Sequence, residues 1–457
     1  MKRFFITSLL LISMVANAMA QNANFNGSWK GTLDAGPYSL TIVFNIHQTD
    51  DSVTITWDSP DQGAFGLPAT ATINGNELNV DMPESYATYK GTLVGDTLDG
   101  KFTQMGGSLT MRMTLKDGND EEQNTRPQEA AIEADTNKPY RCEDVTFTNE
   151  DITFSGTLTI PNTGSNFPAV VLVAGSGPHD RDENVFGHRP FLLLADALSR
   201  NGFVVLRYDE RGVGDTKGGD PLAPTEPLAT DAMAALRYLK TRPEVNAAQA
   251  GIMGHSEGGM IAIMNAAKHP DEVAYIVSLA GTGVSGLELG KQQTRLIKKT
   301  MGQEYSDEEM RLSDEMLSII AAEKDSVTLR NKLTAFYEHN PEAQEELEGM
   351  TIEEVVDLVF ITSCVIQYDP TENLKLVQCP MLAINGTLDC QVSCKENLEA
   401  IAHLVPHATV RAYEGLNHFF QTCDDWVGSS QYALIHETMN PQVINDIIEW
   451  LQSVVKE

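Results

Sequence analysis

Residues 252–260 read IMGHSEGGM and set Ser256 within Gly254-His255-Ser256-Glu257-Gly258. The pattern G-x-S-x-G recurs by chance, so the flanking residues decide its meaning. Upstream, residues 250–254 (AGIMG) form a short apolar run of strand character. Downstream, residues 258–268 (GGMIAIMNAAK) have the small and apolar side chains of a closely packing helix. A strand that passes straight into a helix strains the serine backbone and exposes its hydroxyl, while the flanking glycines let the helix approach. The stretch predicts a strand-turn-helix elbow with Ser256 as nucleophile.

The same rhythm extends to both sides. Residues 169–175 (AVVLVAG), 203–209 (FVVLRYD), 273–281 (VAYIVSLAG), 381–386 (MLAING) and 408–415 (ATVRAYEG) are apolar, β-branched runs, and 145–149 with 153–161 form a leading pair. With the run before Ser256 they make eight strands. Helical segments such as 191–201 and 230–241 separate most of them, which implies a mostly parallel α/β sheet covered on both faces. Residues 287–376 break the alternation after the sixth strand. Met310, Leu312, Met316 and Ile319 recur there at helical spacing, and the segment is expected to form a helical lid insertion.

A serine hydroxyl needs a base to take its proton and an acid to orient that base. The expected chain order is Ser, then Asp or Glu, then His, on loops after late strands. Asp389 follows MLAING and His418 follows ATVRAYEG, so both meet that order. Asp369, Glu399, His403, His407 and His436 fit less well: the acids do not follow a strand, two of the histidines precede the last one, and His436 falls in a helical segment. His255 is a candidate for shaping the pocket or for plain elbow packing. For the oxyanion, the expected donors are the backbone N–H groups of Glu257 and of Ser176, the latter in the loop Ala174-Gly175-Ser176-Gly177-Pro178 after the third strand. That GSG carries neither a dinucleotide fingerprint nor a Lys-Ser/Thr ending, which argues against a phosphate loop.

The N-terminal part reads differently. Lys2 and Arg3 precede an apolar run from Phe4 to Val15 and the small-x-small site Ala18-Met19-Ala20, the pattern of a cleavable export signal at 1–20. Residues 21–120 alternate with period two, as in Leu40, Ile42, Phe44 and Ile46 and in Leu109, Met111, Met113 and Leu115, with turn signals at Asn74-Gly75 and Gly95-Asp96. They are expected to form a small antiparallel β domain, joined by an acidic linker at 121–139, which carries one short helix, to a domain spanning 140–457.

The chain has 457 residues and a formal net charge of −32. Loss of the signal removes Lys2 and Arg3 and no acid, which leaves −34 and argues against nucleic acid as a partner. No later segment predicts a membrane span. All 6 cysteines lie beyond the signal, and an exported chain permits disulfides. Cys390 adjoins Asp389 and Cys423 follows His418 by five residues, so a bridge between the acid and base loops is one expectation. No cysteine or histidine spacing suggests a metal site.

Residues 140–457 resemble the α/β-hydrolase superfamily, particularly secreted bacterial esterases with a small N-terminal β domain. The resemblance rests on GSGPHDRDE at 175–183, LRYDERGVG at 206–214, GHSEGG at 254–259 and GLNHFFQ at 415–421. Asp215-Thr216 stands where Asp-Ser is usual, in a turn that carries no member of the Ser-Asp-His set. The resemblance implies hydrolysis of a carboxylic ester, short acyl chains being favoured and an acylated sugar being one candidate, without a cofactor or metal. Two alternatives stay open: a serine peptidase with the same three residues, and a glycan-binding protein with a degenerate hydrolase domain. The loop His179-Asp180-Arg181-Asp182-Glu183 reads equally as a substrate contact or as an internal network fixing the oxyanion loop.

Overall fold

The computed structural model describes residues 23–455 except 36–37, 50–51, 60–63, 86, 105–106, 116–125, 186, 301–305 and 346–350. The expected leader at 1–20 lies outside the described residues. The chain divides into two compact units.

The first unit is a closed antiparallel barrel of eight strands in chain order: β1 (Gly27–Ala35), β2 (Tyr38–Gln48), β3 (Val53–Ser59), β4 (Ala64–Asn74), β5 (Glu77–Met82), β6 (Ala87–Val94), β7 (Thr97–Gln104) and β8 (Gly107–Leu115). β8 returns to β1, pairing Trp29 with Leu115 and Gly31 with Met113, which removes both free edges. Period-two alternation fills the interior with Trp29, Phe44, Leu78, Tyr89, Met111 and Met113. Leu109 and Leu115, expected on the same face as these methionines, are exposed because they sit toward the two ends of β8. The buried Tyr89 hydroxyl donates to the carbonyls of Leu98 and Met111.

The second unit holds an eight-stranded sheet in the order β16-β15-β14-β13-β11-β12-β10-β9. Its strands are β9 (Tyr140–Asn149), β10 (Ile152–Pro161), β11 (Phe167–Val173), β12 (Val204–Tyr208), β13 (Val245–His255), β14 (Ile276–Leu279), β15 (Met381–Gly386) and β16 (Thr409–Tyr413). β9, β10 and β12 pair antiparallel, and every other pairing is parallel. The unbroken apolar runs conceal an alternation. Ala169, Val171 and Val173 of β11 face one core, whereas Val170 and Leu172 face the other. The first core packs under α3 (Thr225–Lys240), α4 (Glu257–Lys268), α10 (Thr371–Leu376) and α11 (Cys394–Leu404). The second packs under α1 (Pro127–Ala134), α2 (Pro190–Arg200) and α13 (Pro441–Val454).

Within the linker, residues 127–134 form the short helix α1, which packs on this unit: Ile132 joins the second core, Gln128 bridges Thr438 and Met439, and Glu129 accepts from the Arg189 N–H and the Thr438 hydroxyl. Two expectations need correction. α3 starts at Thr225 rather than 230, because Pro227 falls in its first turn, where the missing N–H costs no helical bond. His436 lies between α12 (Ser429–Tyr432) and α13 and is not helical.

The insertion after β14 comprises α5 (Gly286–Thr300), α6 (Asp307–Ala322), α7 (Ser326–His339), α8 (Pro341–Glu345) and α9 (Ile352–Gln367), followed by α10. Leu312, Leu317, Ile320, Leu329, Leu333, Phe336 and Val356 give it a core of its own. Among the described residues, no helix is long and apolar enough to cross a membrane.

Candidate active site

Ser256 sits between β13 and α4 with φ 52° and ψ −114°. Its φ lies in the left-handed region, which a non-glycine residue occupies at a cost of roughly 1–2 kcal/mol. The glycines around it answer to packing. A Cβ at Gly254 would stand 2.0 Å from the Gly258 carbonyl oxygen, and one at Gly258 would stand 2.1 Å from that of Val173. α4 thus approaches the sheet at backbone distance and brings its N-terminal N–H groups, Glu257 first, to the cavity edge, where the helix dipole favours negative charge. The Glu257 side chain accepts from the Thr225 hydroxyl at 2.5 Å.

Asp389 and His418 come from the loops after β15 and β16. Asp389 is fully buried. Its Oδ1 accepts from the N–H groups of Gln391 (2.8 Å) and Val392 (2.9 Å), and its Oδ2 lies 2.7 Å from His418 Nδ1. One carboxylate oxygen therefore holds its own loop while the other orients the imidazole. The two loops are joined directly: the Leu388 N–H donates to the Leu416 carbonyl, and Asn417 Oδ1 accepts from the N–H groups of Phe419 and Gln421.

Ser256, His418, Ser176 and Glu257 border one cavity of about 540 Å³. Asp369, Glu399, His403, His407 and His436 do not border it. Leu289, Met316, Leu317, Ile320, Val365 and Ile366 of the insertion form its apolar wall. Ser176 is at its mouth. Its neighbour Gly175 is already committed, donating its N–H to Glu183 Oε1 at 2.8 Å.

The charged loop 179–183 forms a hydrogen-bonded network, and its His179 and Glu183 also border the cavity. Arg181 donates to Asp209 Oδ2 at 2.6 Å and to Asp215 Oδ2 at 3.0 Å, and Asp182 pairs with Arg207. His179 donates its N–H to Glu210 Oε2 at 2.9 Å, and burial holds the Glu210 carboxyl well above the usual carboxylate range. Glu183 and His255, which the sequence does not place together, meet here: His255 Nδ1 stands 2.9 Å from Glu183 Oε1. The acidic end of GSGPHDRDE and the histidine of GHSEGG were the available signals.

The expected bridge between Cys390 and Cys423 is not formed, and both are thiols. Cys390 Sγ donates to the Val427 carbonyl and Cys423 Sγ to the Gln421 carbonyl. Burial pushes the Cys423 thiol up to about 11, which keeps it protonated and unreactive.

The family model described as serine aminopeptidase, S33 matches residues 189–422, just over half of the chain. Esterase EstD of Thermotoga maritima is 38% identical over 118 residues, which are 25% of this chain. The chain thus spans 28% of that relative's length. The Pyrococcus furiosus esterase Pf2001 is 18% identical with a TM-score of 0.43, over 69% of this chain and 91% of that one. Est1E of Butyrivibrio proteoclasticus, solved with ferulic acid, is 16% identical with a TM-score of 0.42, over 68% of this chain and all of that one.

Proposed function

We propose that this chain, which belongs to the serine aminopeptidase S33 family of hydrolases, cleaves carboxylic esters through an acyl-enzyme on Ser256. Ser256 Oγ attacks the ester carbonyl carbon as its proton passes to His418 Nε2. Asp389 holds the Nδ1–H and stabilises the imidazolium. The N–H groups of Glu257 and Ser176 take the oxyanion. Collapse expels the alcohol, which leaves with the proton from His418. Water, deprotonated by the same base, then frees the acid and restores Ser256.

The observation that carries this reading is the buried 2.7 Å contact between His418 Nδ1 and Asp389 Oδ2, beside a cavity that His418 borders together with a serine at a strained elbow. The apolar wall supports an acyl chain as the group bound beside Ser256. A pocket of this volume is of the size that encloses small organic ligands, which supports short acyl chains. The leader-like residues 1–20 support export; a small ester, with an acylated sugar among the candidates, is the substrate this reading favours.

The family description favours a second reading, release of an amino-terminal residue. Turnover of a chain-length series of chromogenic acyl esters beside an aminoacyl arylamide separates the two. The ester reading expects kcat/KM for the best ester to exceed that for the arylamide by at least about 100-fold, some 2.7 kcal/mol of transition-state discrimination. An arylamide preference would move the peptidase reading to the front.

A further inference from the structure

Behind the serine, a second histidine faces two acceptors. His255 Nδ1 lies 2.9 Å from Glu183 Oε1, and its Nε2 lies 3.0 Å from the backbone carbonyl of His418. Nε2, which faces a carbonyl, carries a proton, and Nδ1 shares another with Glu183 Oε1; with that proton on the ring, His255 is an imidazolium and Glu183 its carboxylate partner. Both side chains are buried, His255 at 4% exposure and Glu183 at 1%. Burial alone would lower the histidine's affinity for its proton and raise the acid's. Their mutual attraction overrides it, holding His255 above and Glu183 below their ordinary values.

The same Glu183 Oε1 also accepts the Gly175 N–H. One carboxylate oxygen therefore links the loop bearing Ser176 to His255, and His255 links that point to the backbone of His418. The imidazole rings of His255 and His418 lie 4.7 Å apart between centroids. Glu183 adopts φ 51°, and Phe420 on the His418 loop adopts φ 60°. Two non-glycine residues in left-handed conformations, one on each linked loop, mark backbone held against its local preference. Burying two charges is a poor route to stability, since an apolar pair of similar volume is often neutral or better. What this pair supplies instead is a fixed relation between two loops.

We propose that Glu183 and His255 are positioning residues, a buried ion pair that locks the oxyanion loop to the loop carrying His418 so that donor and base keep one mutual geometry. The proposal rests on the hydrolytic reading above. Neither residue reacts. Each acts through the group it holds.

Glu183→Gln keeps the side-chain volume and removes the charge. Misplacing catalytic groups by a fraction of an ångström to 1 Å lowers rates by up to about 100-fold, so kcat on an acyl ester should fall about 10- to 100-fold with KM within about twofold. The affinity of an acyl trifluoromethyl ketone, whose adduct reproduces the tetrahedral intermediate, should fall in step with kcat/KM, and Glu183→Asp should recover part of the loss. Unchanged kcat, or a loss matched by the fraction of protein unfolded on heating, would overturn the proposal. Nitrogen-15 NMR of the wild-type imidazoles, with His255 assigned through His255→Gln, tests the pair without turnover. Two protonated ring nitrogens at neutral pH are expected, and a neutral His255 ring would overturn the pair. If the wild type cleaves no ester while this ring is doubly protonated, the hydrolytic reading fails and the ion pair stands.

Discussion

The cavity around Ser256 has two unlike walls. One consists of loops at the ends of the sheet strands, and it holds every group that the proposed chemistry needs. Those groups are set by backbone hydrogen bonds and close glycine packing, with Asp389 fully buried and Ser256 strained at the elbow. The other wall is the insertion, which presents Leu289, Met316, Leu317 and Ile320 to the cavity and rests on its own small core. The difference separates rate from choice. On the proposed reading, the polar wall governs whether the reaction proceeds, and the apolar wall governs which acyl group is admitted.

Two substitutions sharpen or break that division. Asp389→Asn keeps the shape of the polar wall while removing the charge that orients the imidazole. By the precedent of buried triad acids, kcat should fall on the order of 10⁴-fold with the chain-length preference unchanged, measured by steady-state kinetics on the ester series. A changed preference would show that the polar wall also selects. Leu289→Trp, on the apolar wall, should act in the opposite sense and less strongly. It is expected to lower kcat/KM for the longest accepted acyl chain by about 10-fold, since a methylene's worth of pocket contact is about 1–3 kcal/mol, and to leave the acetyl ester within about twofold. An equal loss across the series would mean that this wall governs rate as well.

Much of the polar wall was legible in the sequence because it is local. Ser256 lies in one nine-residue stretch, and Asp389 and His418 each follow a strand whose apolar run is plain. The sheet was equally legible from its alternating rhythm, whereas the partition of each run between two cores required the pleat. What stayed hidden depends on distance along the chain. Glu183 and His255 are 72 residues apart. Gln128 of α1 meets Met439 across 311 residues, so an acidic segment reads as linker until its partners are seen. Barrel closure through β1 and β8 is of the same kind.

The central claim is that Ser256 is the nucleophile. Its most direct test is treatment of the intact protein and of Ser256→Ala with a fluorophosphonate that mimics an acyl ester, followed by peptide mass mapping and residual ester turnover. The account predicts one adduct, on the peptide bearing Ser256, with turnover lost in proportion to labelling and neither adduct nor turnover in the variant. An adduct on another residue, or ester turnover that survives in Ser256→Ala, would contradict it.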